Sequence, residues 1–345
     1  MTRTTLLLAF GGTLLWASCG TRSEPDAGRA DGGERLDATP SDAAVSDDAA
    51  VSDDAATSGG RCTEFGPARA VGTVVDRSLD ELSGIAASRV YPGALYTHND
   101  SGGLARVYVL DATDASVRGS ITLSGVTARD WEDIAVGPGP DSDPWVYVAD
   151  TGDNAARRGG AARDSVVVYR FPEAAVDASG SGFNEPVTPE ALEMTYPGAP
   201  HDCEAIAIDP SGDIYLLTKE DSGPSTLFVA RAPQATGLVL EPVTTLEMGG
   251  PLAPGSRYAT AMDLSVGGSG LLVRSYDRVY LFIRGIDESW ADALSRVGTR
   301  LPVFREVQGE AISWSPDGRG YFTISELAGP TLYAYEALNT TCTPL

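Results

Sequence analysis

A short signature recurs along this chain: a polar or acidic residue, a small apolar run, then a turn built on Gly, Pro or Asp. Its copies are Leu82-Ser83-Gly84-Ile85-Ala86, Trp131-Glu132-Asp133-Ile134-Ala135, Cys203-Glu204-Ala205-Ile206-Ala207, Ala261-Met262-Asp263-Leu264-Ser265 and Gly309-Glu310-Ala311-Ile312-Ser313. A weak repeat spaced by about 50 to 70 residues calls for units that stack or close into a ring, because one unit cannot bury its apolar face alone. The same grammar follows each copy. In the third unit the run 206–208 turns at Asp209-Pro210-Ser211-Gly212 and continues as 214–218, 226–231 and 243–246. Short β-branched and aromatic runs between turn residues make an all-β domain, and four strands per repeat make a propeller blade.

The count is five blades, or six if the long stretch 172–198 hides another. The fifth unit lacks its last strand, and residues 68–75, ahead of the first unit, can supply it, so that the two chain ends close the ring. Residues 289–297 read as a short helical insertion in the fourth blade. Cys62 and Cys342 bracket the domain and are expected to be bonded to each other, stapling that closure. Cys203 is then a small buried residue at the start of an inner strand rather than a nucleophile.

The N-terminus is a different material. A weakly basic start, an apolar run over 6–16 and Ala17-Ser18-Cys19 form an export signal with a lipobox-like cysteine. Residues 1–19 are therefore expected to be a lipoprotein signal peptide, with Cys19 lipidated, although Trp16 replaces the usual aliphatic residue. Residues 20–60 carry Asp-Ala-Ala-Val-Ser-Asp twice in tandem, and low hydropathy with like charge predicts a disordered acidic tether. Residues 61–345 form the propeller. Export implies a cell-envelope location, periplasm-facing or on the cell surface, with the membrane as a partner through the lipid. The net charge of −23 argues against nucleic acid as a partner and suits cations. The domain is expected to be a monomer.

In a propeller, residues at the starts of first strands and the ends of second strands emerge on one face. Here these are Asp130, Glu132, Asp202, Glu204 and Glu310, and then His98, Asn99, Asp100, Asp150, Asp153, Asn154, Lys219, Arg274 and Glu326. Carboxylates gathered around an axis repel unless a cation sits among them, and hard oxygen ligands suit Ca²⁺ or Mg²⁺. The candidate metal ligands are Glu132, Glu204, Glu310, Asp150, Asp153 and Asp100, with Ca²⁺ as the candidate cofactor. Lys219, Arg274 and His98 are candidate ligand or phosphate contacts. The same carboxylates have a structural use: at blade tops they can accept hydrogen bonds from backbone amides of the next blade and lock the ring.

The segments Leu82-Ser83-Gly84-Ile85-Ala86, Thr97-His98-Asn99-Asp100-Ser101-Gly102, Asp130-Trp131-Glu132-Asp133-Ile134-Ala135, Gly152-Asp153-Asn154 and His201-Asp202-Cys203-Glu204-Ala205 resemble a group of bacterial β-propeller lipoproteins of unassigned activity. That group is more distantly similar to esterase-like phytase domains and gluconolactonase-type propellers. The phytase likeness implies metal ions on Glu132, Glu204, Glu310, Asp150 and Asp153 that bridge a phosphate and activate water. Lys219 and Arg274 would balance its charge, with Arg157 and Arg158 nearby. The lactonase likeness implies one ion as Lewis acid and one carboxylate as base. Against catalysis, the chain has no Gly-x-Ser-x-Gly elbow, His-rich metal motif or phosphate loop. The primary expectation is a lipid-anchored binding or scaffold module with a small-molecule or protein ligand at the mouth; the alternative is a metal-dependent phosphoesterase or lactonase.

Overall fold

The computed structural model describes residues 60–100, 103–157, 159–248 and 256–345. The signal peptide, Cys19 and all of the tether but Gly60 lie outside the described residues, as do Ser101, Gly102 and the side chains of Arg157 and Arg158.

Five sheets, antiparallel apart from an added parallel edge strand in two of them, follow one another around a ring, each blade with its first strand innermost. The chain enters through β1 (Arg69–Thr73). Blade one is β2 (Leu82–Ala87), β3 (Ala94–Asn99), β4 (Arg106–Asp111) and β5 (Val117–Leu123). Blade two is β6 (Trp131–Pro138), β7 (Pro144–Asp150) and β8 (Val166–Pro172), with the short helix α1 (Asn154–Arg157) between the last two. Then come β9 (Phe183–Val187) and β10 (Glu190–Thr195), of which β10 completes blade two. Blade three is β11 (Cys203–Ile208), β12 (Ile214–Thr218), β13 (Ser225–Ala230) and, after the two-residue β14 (Leu238–Val239), β15 (Glu241–Leu246). Blade four is β16 (Ala261–Leu264), β17 (Gly270–Ser275), β18 (Arg278–Ile283) and β19 (Thr299–Leu301), with α2 (Trp290–Leu294) before the last strand. Blade five is β20 (Gly309–Trp314), β21 (Gly320–Ser325) and β22 (Thr331–Glu336).

β1 pairs antiparallel with β22, with Thr73 opposite Thr331, and so supplies the outer strand of blade five. The stretch 172–198 makes no sixth blade. Its β9 instead runs parallel to β5 on the outer edge of blade one, Gly119 facing Phe183, and covers an otherwise open strand edge. Cys62 and Cys342 are bonded across the closure and buried, and the backbone pairs beside them, Cys62 N donating to Thr343 O at 2.9 Å and Thr343 N to Gly60 O at 3.0 Å.

Each blade is packed on both faces, which explains why strands such as β11 and β12 are buried at every position rather than alternating. The apolar core is divided among the five seams. Tyr96 and Val107 meet Ile134 and Val146 between blades one and two. Tyr147 meets Ile206 and Leu216 at the next seam, and Leu217 and Val229 meet Met262 and Val273 at the third. Leu272 and Leu281 pack on Ile312 and Tyr321, and Ile324 and Leu332 on Ile85 and Leu95, to finish the circuit. Each such aliphatic side chain contributes about 1.5 to 3 kcal/mol by leaving water.

Candidate metal centre at the propeller mouth

The recurring signature has a backbone cause. Where β2, β6, β11 and β20 pair with their second strands, the register slips by one residue at Gly84, Glu132, Glu204 and Glu310 respectively. A bulge bends the strand and re-aims the extra residue. Three of the four extra residues are glutamates, all buried. In blade one the place is taken by Gly84 at φ +66°, where an added Cβ would lie 2.8 Å from the Ile134 nitrogen. β16 of blade four pairs in unbroken register and carries no such glutamate.

Glu132 is the centre of the site. One oxygen each from Asp100, Asp130 and Glu132 lie within 4.8 Å of one another, and the same holds for Glu132, Asp202 and Glu204. Two oxygens on one Ca²⁺, each about 2.3 to 2.6 Å from it, are at most about 5 Å apart, so each trio has the span of a cation shell. Glu132 Oε1 is buried and has no hydrogen-bond partner. The backbone beside it must be glycine: a Cβ on Gly152 would lie 1.8 Å from Glu132 Oε1 and 2.9 Å from the Asp130 carboxyl carbon. Burial, and then the charges of Glu204, Asp100, Asp130 and Asp202, hold Glu132 well above the usual carboxylate range. Such a group takes up either a proton or a cation.

Neighbouring loops set the other ligands. Asp130 accepts from Asn154 N at 2.8 Å and from its side-chain amide at 3.3 Å; Asp202 Oδ1 accepts from Asp153 N at 2.7 Å. Lys219 Nζ donates to Glu204 Oε2 at 2.7 Å. Burial opposes the ammonium charge, but the Glu204 and Glu310 carboxylates outweigh it and hold the Lys219 pKa above its ordinary value.

Besides Lys219, five sequence candidates lie outside the trios. Asp150 is consumed by a buried ion pair with Arg163, Nη1 to Oδ1 at 2.7 Å, and by the amides of Arg129 and Asp130. Asp153 accepts from Arg163 N at 3.0 Å through Oδ2, while its Oδ1 is buried without a partner. Glu310 stands apart, grouped with Lys219 and Glu326; burial first, and then Glu204 and Glu326, push it up to about 8 against the pull of Lys219. Arg274 is no ligand contact: fully buried, it donates to Ala311 O at 2.5 Å and to Ile324 O at 3.3 Å and pairs with Glu306, stitching blade four to blade five. His98 is likewise a packed residue. It is fully buried, contacts Asn99 O through Nδ1 at 2.9 Å and stands edge-on to Trp131 at 5.6 Å, and burial pushes its pKa down to about 4, so that it is neutral.

His201 packs against Tyr196 and Phe228 and contacts Glu220 at 3.2 Å. Cys203 donates to Leu217 O at 3.3 Å, and burial pushes its thiol up to about 12, which leaves it inert.

The ring locks are residues that the sequence reading left without a role. Asp133 is fully buried on an inner strand and accepts from Ile134 N at 2.9 Å, Ile206 N at 3.0 Å and Met262 N at 3.3 Å, joining blades two, three and four. Asp263 accepts from Trp314 N at 2.8 Å and Ser313 Oγ at 3.1 Å, and Ser313 Oγ in turn accepts from Ala87 N at 3.0 Å, joining blades four, five and one. Between them these two aspartates tie all five blades together. The available signal was an acid inside an otherwise apolar inner-strand run. Asp130 and Asp202 were placed at the mouth by their positions but were not counted among the ligands.

No family model matches this chain, and no curated protein does. Among solved structures, the PQQ-bound form of an aldose sugar dehydrogenase from Streptomyces coelicolor superposes with a TM-score of 0.44 at 13% identity, covering 79% of this chain and 98% of that one. At that level of likeness, neither its cofactor nor its substrate transfers to this chain.

Proposed function

We propose that this propeller is an exported, lipid-anchored binding module that holds a divalent cation, Ca²⁺ by the hardness of its ligands, at the mouth, and presents it to a ligand in solution. The observation that carries this reading is Glu132: its carboxylate has a buried oxygen without a partner, and the residue belongs to both trios of oxygens at cation-shell spacing. Carboxylates so placed repel one another in a low-dielectric site, and a divalent cation offsets that repulsion. The inter-blade bonds of Asp133 and Asp263 support a binding role, because they tie the blades that carry the site into one rigid frame. The chain order that goes with this reading is a signal over 1–19, a tether over 20–60 and the propeller over 61–345.

A metal-dependent phosphoesterase or lactonase is the second reading. One observation favours it: the two trios share Glu132, so two ions could sit side by side on one carboxylate. Against it, Lys219 is already paired with Glu204, and Arg274 is sealed in a blade seam, so neither is available to a phosphoryl group.

Calorimetric titration of the protein with Ca²⁺ tests the binding reading, with Glu132→Gln as control. Saturable binding that is lost in Glu132→Gln is expected; no binding, or binding indifferent to Glu132, refutes it.

A further inference from the structure

Blade four lacks a bulge glutamate, and its share of the mouth is filled by Tyr258 and Tyr276, packed edge to face at 5.8 Å. Across these rings lies Lys219 from blade three, its ammonium 5.8 Å from one ring centre and 5.3 Å from the other. On the near side it donates to Glu204 Oε2 at 2.7 Å. Within electrostatic reach of the same ammonium is Glu310 of blade five, whose buried Oε2 accepts no hydrogen bond; its neighbour Gly309 packs on the Tyr276 backbone, where an added Cβ would lie 2.6 Å from Tyr276 O. Glu204 and Glu310 occupy the same bulge position in their blades, two blades apart, so one ammonium, held over an aromatic pair, has two carboxylates within electrostatic reach. A lysine stem is flexible enough to serve both, and the ring faces favour the cation in either place.

Glu204 is also a member of the trio that it forms with Glu132 and Asp202. One carboxylate is thus claimed by a tethered ammonium and by the divalent cation proposed above, and two positive charges on one carboxylate repel each other.

Resting on that cation reading, we propose that Lys219 is a tethered competitor for the cation site: it occupies Glu204 when the site is free and passes to Glu310 when a divalent ion binds. The arrangement selects for charge. A monovalent ion offers Glu204 no more charge than Lys219 already does, whereas a divalent ion displaces it. Glu310 is then not a ligand but the acceptor that makes the displacement affordable, which accounts for a buried glutamate whose open oxygen lies outside both trios.

The test is calorimetric titration with Ca²⁺ of the full chain as wild type, Lys219→Met, Glu310→Gln and the double variant, each checked for folding by circular dichroism. Removing the competitor should tighten Ca²⁺ binding by about tenfold or more, as expected for a close charge pair. Glu310→Gln should weaken binding about threefold or more when Lys219 is present, and have little effect in the Lys219→Met background, a coupling that a purely structural role would not produce. Weaker or unchanged binding by Lys219→Met overturns the proposal, since Lys219 would then only order Glu204. An equal effect of Glu310→Gln in both backgrounds removes Glu310 as the second acceptor and overturns it as well. If Lys219→Met does not fold, Glu310→Gln decides by itself: unchanged or tighter binding overturns the proposal. Binding by wild type with weaker binding by Lys219→Met defeats the competitor alone, whereas no Ca²⁺ binding by either defeats the cation site and the competitor together.

Discussion

The Cys62–Cys342 bond closes a loop of 280 residues, and this span sets what its removal should cost. In the chain-entropy description the closure removes about 19 cal/mol/K from the unfolded ensemble at this length, or about 5 to 6 kcal/mol at 25 °C. That is a ceiling, because a real unfolded chain is already partly compact. The folded ring itself should survive the loss. β1 stays paired with β22, Gly66 N still donates to Glu336 O at 2.8 Å, and Leu338 N to Glu64 O at 2.9 Å. The expected outcome for the Cys62→Ser/Cys342→Ser double variant is therefore a folded protein about 3 to 6 kcal/mol less stable, with native-like circular dichroism. Urea unfolding followed by tryptophan fluorescence reads this directly, and the slope against urea should steepen as the unfolded chain expands. A loss below about 1 kcal/mol, with the bond verified in the parent by non-reducing mass mapping, would refute the reasoning. It would mean that the closure is held by the β1–β22 pairing and that the cross-link does little to the unfolded chain.

Three further outcomes are expected. Asp133→Ala should destabilise the protein by about 3 to 5 kcal/mol in the same urea assay, because it leaves three buried amide donors without an acceptor at about 1 to 3 kcal/mol each. Asp133→Asn, which keeps one acceptor oxygen, should lose less, and a near-neutral alanine variant would show that Asp133 does not lock the ring. In EDTA, the melting temperature should rise as pH falls from about 8 toward 5: burial raises Glu310 to about 8 and Asp263 to about 6 in the folded state, so the native protein binds protons that the unfolded chain has lost. Below about pH 4 the slope should reverse, as Glu288, held down to about 2 by Arg296, and Asp76, held down by Ser78, lose stabilising bonds; a flat or inverted profile between pH 8 and 5 would count against these raised values. Finally, Cys19→Ser should move the protein from the membrane fraction to the soluble fraction, and persistence in the membrane would rule out lipid anchoring through that cysteine.

The blade count, the closing strand and the disulfide were legible because each is written in local sequence. Strand period, turn residues and the signature mark blade after blade, and a fifth unit one strand short points to residues 68–75, of which β1 uses Arg69–Thr73. The stretch 172–198 was ambiguous because β9 has no independent pattern: it is a strand only because the edge of β5 is there to pair with. At the mouth, sequence position picked out Asp100, Glu132 and Glu204, which share the trios, but it set beside them His98 and Arg274, both fully buried, and could not tell which residues meet. Asp150 looks like a ligand until Arg163, folded back from the following loop, is seen to pair with it, while the same residue's amide takes one oxygen of Asp153. Arg274 reads as a free cation until the carbonyls of Ala311 and Ile324 enclose it. Asp133 and Asp263 look like ordinary members of a repeated motif until amides from other blades converge on them. Periodicity and turn chemistry are properties of neighbours along the chain, so the sequence alone determined the propeller. Charge compensation and hydrogen-bond satisfaction depend on partners that are tens to more than a hundred residues away, and only the closed ring decided those.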